Sequence, residues 1–488
     1  MKTTSARLTN PDDSSRLVKG LGLLDSTALV MGSMIGSGVF IVSADVAKLL
    51  PNPALILACW ALAGLVTVFA AVTYGELAGA MPKAGGQYVY LREAYGPLTG
   101  FLYGWTLFLV IQSGTIAAVA VAFARYLDVF IPLGRVFFST DLHLGALTYT
   151  LSLDAKQLVA LTCIAGLSWL NCRGIRTGAL IQNLFTAAKL AALFLLVLAA
   201  FTIGAGTWAH FQSPSSGQGL TAAAAAAFSA TPGARNALAW PVAGWLGFAM
   251  VVGVAMVGPL FSYDAWNNLT FTGAEVRNPR RNLPLALFLG TLLTTLVYLA
   301  ANLAYFYVLP LSEAAASERI AAAAAVRILG SAGTYFISAA ILASTFGCLN
   351  GLILAGPRVY YAMAQDGLFF PRMARLNKRG APKTSVMVQA VWASLLALSG
   401  TYSQLLTYII SAALFFYVLT VCSPFVFRRR GRSLGRSGTI FRLAPLLYTA
   451  TALGIMAANL VLDPRSSWPG FLIIVLGLPA YFAWRKAL

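Results

Sequence analysis

The chain alternates between long apolar runs and short polar connections. Twelve runs reach about 20 residues, enough to cross a bilayer as helices. They begin near Leu24, Pro53, Leu98, Gln157, Thr177, Val242, Leu285, Ala332, Thr384, Leu405, Leu443 and Trp468. The first run is interrupted by Gly32-Ser33-Met34-Ile35-Gly36-Ser37-Gly38 and the sixth by Gly258-Pro259-Leu260-Phe261-Ser262-Tyr263-Asp264. Each interrupted run opens a set of five of similar total length, and an odd number of spans inverts the second set relative to the first. The pattern predicts an all-α polytopic membrane protein with twelve transmembrane helices: a 5+5 inverted repeat with helices one and six broken, plus two further helices. Its parts are a polar arm over 1–22, the first repeat over 23–204, an Ala-, Gly- and Ser-rich external loop over 205–240, the second repeat over 241–427, and an Arg-rich loop with helices eleven and twelve over 428–488.

In hydrocarbon every backbone amide and carbonyl needs a partner, so an unwound stretch persists only where protein, ligand or trapped water supplies one. Two such stretches at matching places form a candidate binding site and point to a secondary carrier. Around Met34, Ile35, Gly36, Ser37 and Gly38 the break leaves amides at the start of one half-helix, suited to a carboxylate. Carbonyls ending the other half-helix suit an ammonium, and the pair makes a receptor for a zwitterion. The glycines carry a second reading, because Gly32-x-x-x-Gly36 also permits close helix packing.

In span six Pro259 removes an amide donor, and Phe261, Ser262, Tyr263, Asp264, Trp266 and Asn267 follow. Phe261 and Trp266 lie near enough to the break to cover a ligand. Aromatic residues in a span also serve packing or an interfacial belt, the reading that suits Tyr263. Asp264 is a mid-span carboxylate, costly unless it faces a cavity or a partner. Lys189 lies near the centre of span five, too far from either end to reach the headgroups, and requires an internal partner. Its ammonium can fill the place of a sodium ion on helix-terminal carbonyls, either as a static charge or as a group that titrates during transport. Gln112, Ser113 and Thr115 in span three are candidate wall residues or helix-packing contacts.

A composition of 59% hydrophobic and 10% charged residues over 488 positions excludes one or two soluble domains. The formal net charge of +19 suggests nucleic acid until the basic residues are sorted by side of the membrane. With the N-terminus inside, inside segments hold Arg16, Lys19, Lys83, Arg92, Arg173, Arg176, Arg277, Arg280, Arg281 and the clusters Arg372 to Lys383 and Arg428 to Arg442. Outside segments hold chiefly Lys48, Arg135, Lys156, Arg235, Arg319, Arg327 and Arg465. That bias predicts a multi-pass protein of the cell membrane with both termini cytoplasmic and no nucleic-acid partner. Arg428-Arg429-Arg430 is an orientation signal or a contact for anionic lipid headgroups.

Cys59, Cys163, Cys172, Cys348 and Cys422 all lie in or beside apolar runs, which predicts no external disulfide. The polar arm leads straight into a full-length span, unlike a cleaved signal peptide. His143 and His210 fall in external loops, so no histidine metal site at membrane depth is expected, and no phosphate-binding Walker motif appears. Neither a membrane enzyme nor an ATP-driven pump is indicated, and no cofactor or metal is expected; a channel is the remaining rival to a carrier.

Several segments together resemble the amino acid, polyamine and organocation transporter superfamily, and within it the L-type amino acid transporter branch, over nearly the whole chain. They are Gly32 to Phe40, Tyr74-Gly75-Glu76-Leu77 with Pro82 to Gly86, Gln182 to Lys189, Phe261 to Asn267, Glu275 with Asn278 to Pro284, and Ser344-Thr345-Phe346-Gly347. The resemblance implies that the Ser37 and Gly38 amides hold a substrate carboxylate and that the carbonyls of Met34, Phe261 and Asp264 hold its amine. Phe261 would act as a gate, Asn267 would steady the second break, and Lys189 would bridge span one to span eight near Ser344, making transport sodium-independent. It further implies L-amino acid substrates, moved by exchange or by proton symport. Eukaryotic members pair with a glycoprotein through a cysteine between spans three and four. None occurs between Arg125 and Lys156, which implies a partner-free, bacterial inner-membrane member. Aspartate at 264 resembles exchangers of dibasic and neutral amino acids, and Ala265 departs from the glycine usual beside it.

Overall fold

The computed structural model describes residues 17–144, 147–204, 206–212, 245–399, 402–435, 438–462 and 464–487. Most of the arm over 1–22, most of the loop over 205–240, Arg16, Arg235 and the expected start of span six at Val242 lie outside the described residues. The rest is nearly all helix. Seven helices are long and apolar enough to cross a membrane, and a bent pair adds an eighth span. Shorter apolar helices cover Gly247–Ser262, Ile320–Leu329, Lys383–Leu398 and Trp468–Trp484.

The bent pair is α1 (Leu23–Met34) and α2 (Gly38–Leu49), which meet at 42°. After them come α3 (Pro53–Ala80), α4 (Gln87–Tyr95), α5 (Pro97–Thr106), α6 (Gln112–Leu127), α7 (Ala155–Asn171) and α8 (Ile175–Thr202). The second half brings α9 (Trp245–Ala255), α10 (Val257–Ser262), α11 (Asn268–Phe271) and α12 (Pro279–Val308). Then follow α13 (Leu311–Ala316), α14 (Ile320–Leu329), α15 (Ser331–Ala355), α16 (Pro357–Gln365), α17 (Lys383–Leu398), α18 (Tyr402–Arg429), α19 (Ile440–Leu462) and α20 (Pro464–Ala487).

One departure from all-α is a hairpin of β1 (Val136–Leu144) with antiparallel β2 (Leu147–Asp154), between α6 and α7. The cause is legible in the sequence: Leu147, Tyr149, Leu151 and Leu153 alternate with Thr148, Thr150 and Ser152, the two-residue period of a strand. The hairpin delivers Asp154 to cap α7, where its Oδ1 accepts from the Gln157 amide at 2.7 Å and Gln157 Oε1 accepts in return at 3.0 Å.

The packing that matters for the site follows from residue spacing. On α8 the buried positions Gly178, Gln182, Thr186, Lys189, Leu193 and Leu196 recur every three or four residues, one face of a helix. Leu180, Leu184, Phe194 and Leu198 are exposed on the other face, as lipid-facing positions of a span are. The polar face of α8 lies against α1 and α15, while α12 lies along α3 and α1. A methyl group at Gly32 would collide with Gln182 and Thr186, so the glycine sets the close approach of α1 to α8.

At one end of the bundle the chain before α1 is tied across the loop after α11. The Gly20 and Leu21 amides donate to the Glu275 carbonyl at 2.9 and 3.0 Å, and the Arg277 amide donates to Leu21 at 2.8 Å. The Glu275 carboxylate takes two bonds from Arg358 on α16, at 2.7 and 3.1 Å, with both side chains 1% exposed. This latch joins the leading segment, the loop after the second break and the α15–α16 junction.

Candidate functional site at the two helix breaks

The first break is real and short. Helix α1 ends at Met34, Ile35 leaves the helical region at ψ 86°, and α2 starts after Ser37. No side chain caps α2, and its first amides have no acceptor within the helix. The freed carbonyls on the other side are met from behind. Lys189 Nζ donates to Gly32 at 2.9 Å, Ile35 at 2.6 Å and Ser344 at 2.9 Å. The Ser344 hydroxyl lies 2.9 Å from both the Ile35 and the Gly36 carbonyls. The lysine is fully buried, and its three donors meet two carbonyls at the end of α1 and one in the middle of α15, contacts a monovalent cation would otherwise make.

The second break falls a few residues later than the sequence suggests. Helix α10 runs through Pro259 to Ser262, and the non-helical stretch is Tyr263 to Asn267. Proline is tolerated there because it lies in the first turn of α10, where its missing amide has no intrahelical acceptor to lose. The reversal is made instead at Ala265, which takes φ 66°, a left-handed conformation that normally favours glycine. Asn267 steadies the turn: its carbonyl accepts from the Thr270 amide at 2.8 Å and the Thr270 hydroxyl at 2.7 Å, and its Nδ2 donates to Gln87 at 2.7 Å.

The breaks meet. The Tyr298 hydroxyl on α12 stands 3.0 Å from the Met34 carbonyl and 2.8 Å from that of Ser262. A Cβ added to Gly38 would lie 2.8 Å from Ser262 Cβ and 3.1 Å from its Cα. Gly38→Val therefore forces the two breaks apart. The expected result is loss of measurable substrate binding, read by scintillation proximity on protein that remains monodisperse in size-exclusion chromatography; affinity equal to wild type contradicts the assignment.

Two small cavities lie at the junction. The first, of about 30 Å³, is lined by Met34, Gly36, Ser37, Gly38, Phe261 and Ser262, with Asp264, Ala265, Thr115 and Cys348 among its other walls. The second, of about 10 Å³, lies beside it against α4, α6 and α18. Its wall includes Leu107 and Ile111 of the π-helical turn that joins α5 to α6, a distortion common beside functional sites. A water needs roughly 10–15 Å³, so the first cavity has room for a water or two and the second for about one.

Most expected site residues converge here. Met34, Gly36, Ser37, Gly38, Phe261, Ser262 and Asp264 line the first cavity, and Asn267 and Gln112 the second. Lys189 and Ser344 stand behind the first break, and three more stand elsewhere. Ile35 is fully buried with its carbonyl turned to Lys189 and Ser344. Trp266 lines neither cavity and packs edge-on against Tyr74, with ring centroids 4.6 Å apart. Ser113 is absent from both linings, while Thr115 belongs to both.

Sequence reasoning missed Tyr298, Tyr417 and Cys348. The Tyr417 hydroxyl donates to Asp264 Oδ1 at 2.6 Å and the Cys348 thiol to the Ser33 carbonyl at 3.0 Å. A tyrosine or cysteine in an apolar run reads as packing, and only the fold shows which backbone groups it faces.

The sequence model of the amino acid permease family matches residues 21–479. The chain belongs to this family. Human large neutral amino acids transporter small subunit 2 is 28% identical over 477 residues, 96% of this chain and 80% of that protein. Human b(0,+)-type amino acid transporter 1 is 26% identical over 472 residues, covering 96% and 88%. Mouse Asc-type amino acid transporter 1 is 28% identical over 478 residues, covering 96% and 82%. The permease is thus a multi-pass membrane protein of the amino acid, polyamine and organocation superfamily, similar to amino acid transporters and not an enzyme.

Proposed function

We propose that this permease carries L-amino acids across the bacterial inner membrane by sodium-independent exchange. It does so as a twelve-helix 5+5 inverted repeat with both termini cytoplasmic. The single observation that carries the reading is the cavity between the breaks, with the uncapped start of α2 on one wall and Lys189 behind it. The Ser37 and Gly38 amides receive the carboxylate, favoured by the helix dipole. The Phe261 and Asp264 carbonyls receive the amine together with that of Met34, which has a second lone pair beyond the one facing Tyr298. Lys189 replaces a sodium ion. With no cysteine between Arg125 and Lys156, the protein works without a disulfide-linked heavy chain.

A competition screen of all amino acids against one radiolabelled substrate in proteoliposomes tests the reading. Saturable competition by a defined subset is expected; competition by none defeats it. Uptake that follows an imposed pH gradient without internal amino acid would identify proton symport instead.

A second reading, transport of cationic amino acids, is favoured by Asp264, among the described residues the only charged side chain lining either cavity. One of its oxygens takes Tyr417, and a substrate ammonium or guanidinium would offset the remaining charge. Asp264→Asn keeps the shape and removes the charge. On this reading arginine and lysine uptake falls at least about tenfold while neutral uptake persists, a difference of one charge-assisted bond. An equal fall for all substrates, or no cationic transport by wild type, rules it out.

A further inference from the structure

The turn between α7 and α8 gathers positive charge from separate stretches of the chain. Cys172, Arg173 and Gly174 make the turn, and Gly174 takes φ 113°, where a side chain would be strained. The loop before α17 is docked on it. Asn377 Oδ1 accepts from the Arg379 and Ala381 amides at 2.9 and 3.0 Å and so folds the loop, while its Nδ2 donates to the Cys172 carbonyl at 2.7 Å. A Cβ on Gly174 would lie 3.3 Å from the Arg379 carbonyl oxygen. The docking sets Arg379 beside the turn that carries Arg173, and Lys383, the first residue of α17, lies within electrostatic reach of Cys172.

Arg173, Arg379 and Lys383 are exposed, and among the described residues none of them forms an ion pair. The carboxylates at this end of the bundle are committed elsewhere: Glu275 to Arg358, Glu76 to Arg428, and Glu93 and Asp366 to Arg92. Cations brought together in this way repel one another unless an anion joins them. An orientation signal needs only their number, not a loop riveted in place by Asn377. Beside the charges stands an apolar wall. The Arg173 guanidinium lies over the ring of Trp169 on α7, 3.7 Å from its centroid, and Trp169 is itself 57% exposed. Leu180 and Leu184, at the start of α8, are exposed as well.

We propose that Arg173, Arg379 and Lys383 bind the phosphate of an anionic phospholipid whose acyl chains pass Trp169. The guanidinium groups match phosphate oxygens, and an exposed tryptophan next to them suits the depth of the headgroups. A free phosphate would meet the cations but leave Trp169 uncovered, whereas a phospholipid meets both. The site lies away from the two helix breaks, so the inference is independent of which substrate is carried.

Thermal unfolding of the purified protein in detergent tests this, with dioleoylphosphatidylglycerol, dioleoylphosphatidylcholine or inorganic phosphate added. Phosphatidylglycerol is expected to raise the apparent melting temperature saturably by about 2 °C or more, and the other two are not. Removing the three charges together, as Arg173→Gln with Arg379→Gln and Lys383→Gln, should abolish the shift. A control, Arg281→Gln with Arg429→Gln and Arg442→Gln, removes as many exposed charges elsewhere and should keep it. Should the first triple variant misfold, Arg173→Gln and Arg379→Gln singly decide, each raising the half-saturating phosphatidylglycerol concentration by about threefold or more. No shift with phosphatidylglycerol, or an equal one with phosphatidylcholine or inorganic phosphate, overturns the proposal. So does an unchanged response in the first triple variant or in both single variants, or an equal loss in the control.

Discussion

Replacing Lys189 with methionine is expected to lower initial uptake by at least about a hundredfold, since three buried hydrogen bonds from a charged donor to carbonyls are lost, worth about 1.5–3 kcal/mol each. Two of those carbonyls, Gly32 and Ile35, end the half-helix whose partner presents the Ser37 and Gly38 amides. The third, Ser344, belongs to α15. The lysine therefore fixes the first break against a neighbouring helix, and its loss loosens the Ser37 and Gly38 amides at the start of α2. Lys189→Arg is not expected to restore uptake, because a planar guanidinium does not converge on three acceptors as an ammonium does. Uptake into proteoliposomes at matched protein incorporation measures the effect. Full activity of Lys189→Met would show that the break is held by other means.

The second large effect is expected at the latch. Arg358→Met leaves the Glu275 carboxylate buried without its cation, and breaking such a pair costs about 3–5 kcal/mol. Because the Glu275 carbonyl also anchors Gly20 and Leu21, the loss reaches the segment before α1 and, through it, the first break. The expected result is a clear drop in apparent melting temperature in detergent and loss of transport. Combining Glu275→Gln with Arg358→Met removes both charges and should recover much of the thermal loss, as a double-mutant cycle would show. A double variant no more stable than Arg358→Met would mean that the pair contributes through packing alone.

The long apolar helices and both breaks were legible because hydrocarbon imposes a simple rule: about 20 apolar residues make a span, and an unwound segment needs partners. Lys189 was legible for the same reason, as a charge too deep to reach water, and its partners at the first break and Ser344 are those implied by the family resemblance. The exact placing of the second break was not. Pro259 looked like its centre, yet the turn is made by Ala265, whose left-handed backbone no composition rule signals in an alanine. The hairpin before α7 carried a strand period that the search for long apolar runs passed over. Tyr298 and Tyr417 gained meaning only when the fold set them against particular carbonyls and a carboxylate. Side chains in an apolar helix announce their depth but not their neighbours.

The central claim is that an amino acid binds between the two breaks and is exchanged without sodium. Counterflow in proteoliposomes tests it most directly. Vesicles loaded with a high concentration of unlabelled substrate are diluted into sodium-free medium holding a trace of radiolabel, with no pH difference across the membrane. The account predicts transient, saturable accumulation of label that is unchanged by adding sodium. Linear, non-saturable entry, or accumulation that appears only with sodium, would contradict it.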